Sequence, residues 1–253
     1  MSSQNSENSS KDIKKLLILM RHGEKLVKTG KKPKCGIYDS ELSSLGIKQA
    51  FLSGQKFLSQ LKKYNFSDIS PSEIHFISSP YMRTLQTTAH FLRGISESKN
   101  FFGDNVDISS LYNVSVEYGV REILNKNKLK GKEIPKDFLN FLNNPKFKDF
   151  DEELKKLNLN VISNYEFSTE KENRDECFKR CKKYVDEQLI NFDKDNKYKI
   201  IIILSHSGPM EFIMKSFGFY EKNTKNIFVA DQIYFDISKG IQNYKFLESI
   251  GVH

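Results

Sequence analysis

Tryptophan is absent from this 253-residue chain, and only three cysteines, five histidines and six prolines occur in it. Each scarcity excludes something. Cys35, Cys177 and Cys181 are an odd number in a chain too long to need covalent staples, so free thiols in a reducing compartment are expected rather than a disulfide framework. Cys177 and Cys181 stand four apart, in one helical stripe with Val185 and Leu189, which suits buried thiols. No histidine or cysteine lies close enough in sequence to complete a zinc motif. The longest apolar run, IIIIL at 200–204, falls far short of the roughly 20 residues a membrane helix needs. The opening MSSQNSENSS lacks the basic–apolar–small layout of a secretory signal, and Ser2 excludes myristoylation. A disordered polar tail over 1–12 and a cytoplasmic protein away from the membrane are therefore expected.

Forty Lys and Arg against 32 Asp and Glu leave a formal charge of +8. The lysines are scattered, and no helix-turn-helix, zinc-finger or RNP pattern accompanies them, so nucleic acid is not an expected partner. A basic balance does suit an anionic substrate. Twenty Phe and eleven Tyr supply bulky core material.

Five apolar residues at 16–20 run straight into Arg21, His22 and Gly23. Continuous apolar runs of this length read as strands buried on both faces. A second strand is expected at 73–79, a third at 114–119, a fourth at 199–205, and an antiparallel pair at 232–238 and 243–249. Helical periodicity follows Ser43, a candidate N-cap. Further helices are expected at 80–94, with Pro80 in the first turn and Gly94 near the end, and at 208–218, opening near Pro209. Strands alternating with helices give an α/β, three-layer α/β/α sandwich with a mostly parallel central sheet. One domain is expected over 13–253. A Lys-, Asn- and Glu-rich insertion at about 125–171, with one or two short helices, interrupts it.

In such sheets chemistry gathers at the carboxyl ends of the strands. Arg21 and His22 follow the first strand, and Arg83 follows the second. Glu117 and Glu122 follow the third, and His206 and Ser207 the fourth. Clustered guanidinium groups call for an anion, and Arg forks match phosphate oxygens. Neighbouring cations keep an imidazole neutral, hence nucleophilic. Gly23 and Gly208 would let backbone approach a ligand. Helix starts after Ser79 and Ser207 would offer N–H groups to it. Ser78 and Ser79 read as helix caps, and His75 and His90 as ordinary structural histidines.

The stretches RHGE, SSPYMRTLQTT and SHSG, in this order, resemble the histidine phosphatase superfamily, the phosphoglycerate mutase-like proteins. DSELSSLGIKQA (39–50) also resembles a family helix start, with Ser43 where Thr is usual. The resemblance implies that His22 becomes phosphohistidine, that Arg21 and Arg83 hold the phosphoryl oxygens, and that His206 stabilises the transferring group. VEYGVRE (116–122) resembles a stretch of phosphatases of the suppressor-of-T-cell-receptor-signalling type. That implies Glu122 as proton donor, with Glu117 in reserve because Tyr118 and Arg121 depart from the pattern. Lys25 matches a further phosphate contact, and Ser207 would offer its backbone N–H.

The resemblance implies a metal-independent phosphomonoester hydrolase with no cofactor, acting on a phosphorylated small molecule or a phosphoprotein. Homodimers are common among relatives. Two other readings stay open. One is a mutase needing 2,3-bisphosphoglycerate, although the Trp-Asn continuation of mutases is missing. The other is a phosphate-binding scaffold without turnover. The lysines at 126, 128, 130, 132 and 136 read as a solvated loop or as a basic rim for acidic substrates.

Overall fold

The first apolar run forms strand β1 (Leu16–Arg21), and its residues 16–20 are fully buried. The computed structural model describes residues 13–35, 38–98, 101–103, 106–124, 151–165, 171–219 and 227–251. Around β1 lie β2 (Ile74–Ser78), β3 (Asn113–Val116), β4 (Asn158–Val161) and β5 (Ile200–Ser205), then β6 (Gln232–Asp236) and β7 (Lys245–Ile250). They make one seven-stranded sheet in the order β4-β3-β2-β5-β1-β6-β7. The first five positions of that order are parallel, while β6 is antiparallel to β1 and β7 to β6. β1 and β5 are central in the sheet and helices cover both of its faces, which is why both strands are apolar without alternation.

Helices α1 (Ser44–Lys63) and α2 (Met82–Ser96) cover one face, packing Phe57 and Phe91 on Leu16, Ile18, Phe76 and Ile202. A short α3 (Glu152–Lys155) precedes β4. On the other face, α4 (Arg174–Tyr184) continues through a π-helical turn, Val185–Leu189, into α5 (Ile190–Lys194). With α6 (Ser207–Ser216) they cover Leu17, Leu19, Ile77, Ile201 and Ile203, and Cys177 and Cys181 are buried among them. The three-layer α/β sandwich with a mostly parallel sheet is the observed fold. Among the described residues no helix is long and apolar enough to cross a membrane.

Ser43 caps α1 as its position suggests, accepting a hydrogen bond from the Gly46 N–H. Other expectations need correction. Pro80 precedes Tyr81, the N-cap of α2, and so lies outside the helix. β3 closes at Val116, because the Glu117 carboxylate accepts the Gly119 N–H and turns the chain into the 3-10 turn Tyr118–Val120. Within the expected insertion, β4 pairs with β3 and extends the sheet. Its sequence NLNV is short and largely exposed, so it carries no apolar period to announce a strand. The polar tail, the lysines at 126–136 and residues 166–170 lie outside the described residues.

Gly94 stands two residues before the end of α2, and packing rather than helix termination fixes it. A Cβ there would stand 2.1 Å from the Phe51 carbonyl oxygen, and one on Gly54 would stand 2.1 Å from that of Phe91. α1 and α2 thus cross with backbone against backbone. Gly94→Ala is expected to cost about 1–3 kcal/mol through overpacking. Urea unfolding should show a lower midpoint at unchanged slope. An unaltered midpoint would mean the helices can part without cost.

Candidate active site

Backbone hydrogen bonds continue past the strand ends and fix them in a row. His22 N–H donates to Ser205 O (3.1 Å), Ser79 N–H to Leu204 O (2.9 Å) and Glu117 N–H to Ser78 O (2.9 Å). The residues after β1, β5, β2 and β3 are therefore neighbours, with two buried imidazoles at the centre. The rings of His22 and His206 lie 5.1 Å apart, tilted by 59°.

His22 Nδ1 is 2.7 Å from the Gly23 carbonyl oxygen. A carbonyl can only accept, so Nδ1 carries the proton and the free lone pair is on Nε2. Burial, then the Arg83 guanidinium, hold the ring's pKa well below its ordinary value, with Arg21 and Lys25 adding smaller effects the same way. The imidazole is neutral and its tautomer is fixed. Gly23 serves packing rather than ligand approach: a Cβ on it would lie 2.5 Å from the Gly46 carbonyl oxygen at the start of α1.

His206 is held from its other nitrogen. Nε2 is 2.8 Å from the buried Ser79 hydroxyl, and the Tyr81 ring meets the imidazole edge-on at 5.1 Å. Its Nδ1 is buried without a hydrogen-bond partner, 3.5 Å from Glu122 Oε2. Burial, and after it Arg83, hold this pKa well down too. Ser79 is thus no cap: Tyr81 is the N-cap of α2, and Ser79 orients an imidazole.

Arg83 is buried, with its guanidinium 4.3 Å over the Tyr81 ring, 3.3 Å from Tyr38 O and 3.7 Å from Asp39 Oδ1. That same Asp39 oxygen accepts the Met82 N–H at 2.7 Å. The start of α2 is therefore already occupied by a carboxylate, against the expectation that it would hold the ligand. Arg21 donates to the Ile227 carbonyl, and Glu122, Asp231 and Arg83 all act on its charge. Lys25 lies among the same charges, and burial pushes its pKa down to about 8. Ser207 opens α6, whose first N–H groups point beyond the helix, while Pro209 has none to offer. Besides His206 Nδ1, the buried Nε atoms of Arg21 and Arg83 have no partner among the described residues.

Glu122 joins this cluster, 3.5 Å from an Arg83 guanidinium nitrogen and 3.5 Å from His206 Nδ1. Glu117 does not. It is fully buried, accepts from Gly119 N–H (2.5 Å) and Ser163 Oγ (2.7 Å), and the charge acting on it is Arg180. A buried triad secures the loop between them. Arg121 and Arg180 both pair with Glu172, and Arg180 also donates to the carbonyls of Gly119 and Arg121. Asp39, Ser79 and Tyr81 were not singled out as site residues from the sequence. All three stood in quoted stretches, but nothing local marked their long-range partners.

One atom each from His22, Glu122 and His206 lie within 4.8 Å of one another, a spacing that could span a divalent ion. Three cationic side chains, Arg21, Lys25 and Arg83, act on the same point. Their field disfavours a cation and favours an anion with several oxygens. The geometry can hold a phosphoryl group against a neutral, tautomer-fixed imidazole.

Residues 17–100 match the family model described as Histidine phosphatase superfamily (branch 1). That span contains Arg21, His22, Lys25 and Arg83. No curated protein sequence matches the chain. Among solved structures, the ecdysone phosphate phosphatase of Bombyx mori, in complex with tungstate, aligns over 92% of each chain with a TM-score of 0.64 at 16% identity. The phosphoglycerate mutase of Bacillus anthracis aligns over 94% of this chain and 92% of its own, with a TM-score of 0.52 at 16% identity. The phosphoserine phosphatase of Entamoeba histolytica covers 94% and 98%, with a TM-score of 0.50 at 18% identity. At these identities the likeness is one of fold. The signature over 17–100 is that of the histidine phosphatase superfamily, and the sheet with its helices is phosphoglycerate mutase-like.

Proposed function

We propose that this chain, with its superfamily signature over residues 17–100, hydrolyses phosphomonoesters without a metal, through a phosphohistidine on His22. The observation that carries the reading is the His22 hydrogen bond to Gly23 O, which leaves Nε2 as the nucleophile beside three cations. Nε2 attacks phosphorus, and the bond to the leaving oxygen breaks as that oxygen takes the proton of Glu122. Water then attacks phosphorus, giving a proton to the Glu122 carboxylate as the phosphorus–nitrogen bond breaks, which releases inorganic phosphate and free His22. Arg21, Arg83 and His206 Nδ1 stay on the non-bridging oxygens throughout. Phosphoryl transfer is mostly positioning and charge stabilisation, which this set supplies.

Glu122 rather than Glu117 is the acid, as the suppressor-type resemblance of VEYGVRE implies, because only Glu122 reaches His206 and Arg83. The substrate is a phosphorylated small molecule or phosphoprotein. The fold shared with a mutase keeps phosphoglycerate interconversion as the competing activity to assay. The deciding experiment is phosphate release from p-nitrophenyl phosphate in EDTA. Undiminished turnover supports the reading, and turnover restored only by added metal overturns it.

Lys25 gives this activity an alkaline limb. Its ammonium is charged below its pKa of about 8 and neutral above, so phosphate binding weakens as pH rises through that value. KM should climb above about pH 8 while kcat changes little, and Lys25→Met should raise KM and flatten the climb. An identical limb in the variant would assign the titration elsewhere.

A further inference from the structure

A second cleft opens on the opposite side of the sheet from α1 and α2. On that face the covering is apolar across β1, β5 and Ile77 of β2. It then turns polar. The register puts Ser115 beside Ile77 and Asn160 beside Ser115, with Asn113 and Asn158 paired one step earlier on the same face. His75 begins this polar stretch, four residues before the Ser79 that holds His206, about 13 Å along extended chain. The π-helical turn 185–189 and α5 form the far wall, with Tyr198 beyond them. Their cleft encloses about 470 Å³, within the size of small-molecule sites.

One buried group at this cleft lacks a partner among the described residues. His75 Nε2 has none, although the ring is packed between Phe192 and Tyr198 at 4.6 and 4.5 Å. Gln188 lies at the same cleft with its amide against the Glu117 carboxyl, a contact that partly offsets the rise burial gives that group's pKa. An unpaired buried polar atom costs stability, so a fold that keeps one at a cavity has a use for it. A π turn in a helix wall is a further frequent mark of such places.

The chemistry of the lining defines the ligand. Asn160, Asn164, Asn191 and Gln188 bring amides, which both donate and accept, as a hydroxyl does. Ser115 adds a hydroxyl, and burial holds the His75 pKa down to about 4, leaving its ring neutral. Among the described residues Glu187 and Asp195 are the charged side chains of the lining, while Lys197 acts on His75 from its edge, so the net charge there does not favour an anion. A phosphate belongs in the first site and not here. Phe192 and Tyr198 offer apolar surface for C–H groups.

We propose that this cleft binds an uncharged, hydroxyl-rich small molecule of the sugar or polyol class, at a site separate from the phosphoryl centre. Gln188 ties the cleft to Glu117, and Glu117 forms the turn leading to Glu122. A ligand there would reach the loop that bears Glu122 without entering the first site.

Saturation-transfer NMR on the full chain tests this with glucose, inositol and adenosine as probes, each with and without orthovanadate to fill the phosphoryl site. Transfer to glucose or inositol that survives vanadate is expected. Asn160→Leu and His75→Phe should each weaken it about tenfold, the loss of one hydrogen-bonding partner. His75→Phe keeps a ring between Phe192 and Tyr198, so it guards against loss of folding. Retained p-nitrophenyl phosphate turnover and thermal midpoint would confirm that both variants fold. Absence of transfer to both polyols would overturn the proposal. So would transfer from adenosine alone, transfer abolished by vanadate, or transfer unchanged in the folded variants.

Discussion

His22→Ala should lower kcat on p-nitrophenyl phosphate by about 10⁴–10⁶-fold, the scale seen when a covalent nucleophile is removed. That is about 5–8 kcal/mol of barrier, at about 1.4 kcal/mol for each factor of ten. The expectation falls on His22 and not on its neighbour for a structural reason. His206 uses Nε2 against Ser79, and its Nδ1 faces the Glu122 carboxylate at 3.5 Å, where a donor belongs. His22 uses Nδ1 against a carbonyl and keeps the opposite lone pair. Because its pKa is pushed well down, Nε2 is unprotonated at neutral pH and below it, so His22 sets no limb near pH 6.5. Rapid acid-free quenching of the wild type with labelled substrate should trap a phosphoenzyme that acid destroys, and His22→Ala should trap none. A variant that keeps more than about a tenth of the activity, or still forms the phosphoenzyme, would place the nucleophile elsewhere.

The site's framework was legible because it rests on strand ends. Apolar runs locate β1 and β5, and the sheet then brings Arg21, His22 and His206 together whatever the loops do. Arg83 was legible from its place after β2. What holds these groups was not legible. Asp39 reaches Arg83 and the start of α2 across 43 residues, and Ser79 reaches His206 across 127. A hydrogen bond of that span leaves no local period to read. The two glycines Gly54 and Gly94 show the same limit. Gly94 reads only as a residue near a helix end, while in the fold it forms one crossing with Gly54. β4 was missed because a short, exposed edge strand buries too little to need an apolar alternation. The resemblance of VEYGVRE favours Glu122 and keeps Glu117 in reserve, but position alone does not separate them, since five residues apart near a strand end either could face the histidines. The 3-10 turn 118–120 separates them, sending Glu117 into the α4 side and Glu122 toward Arg83.

Glu122→Gln should show that separation as a dependence on the leaving group. General acid catalysis contributes about 10²–10⁴-fold when the departing oxygen needs a proton. An alkyl phosphate such as phosphoserine leaves as a basic alkoxide, so its first step should slow by about that factor. p-Nitrophenolate departs readily without a proton, so its first step should change little. The second step differs, because water attacking the phosphohistidine needs the Glu122 carboxylate to take its proton, whichever substrate was used. The variant should therefore release about one p-nitrophenolate per His22 in a rapid burst and then turn over slowly. Glutamine keeps the size of the side chain next to Arg83, and the phosphoryl grip of Arg21, Arg83 and His206 remains, so the binding constant should move little, while KM on p-nitrophenyl phosphate falls with kcat as the phosphoenzyme accumulates. Glu117→Gln gives the contrasting result. Its carboxylate is spent on Gly119 and Ser163, so that change should lower the thermal midpoint and slow both substrates alike, with no burst. Equal losses on both substrates in Glu122→Gln, without a burst, would remove Glu122 from both proton transfers.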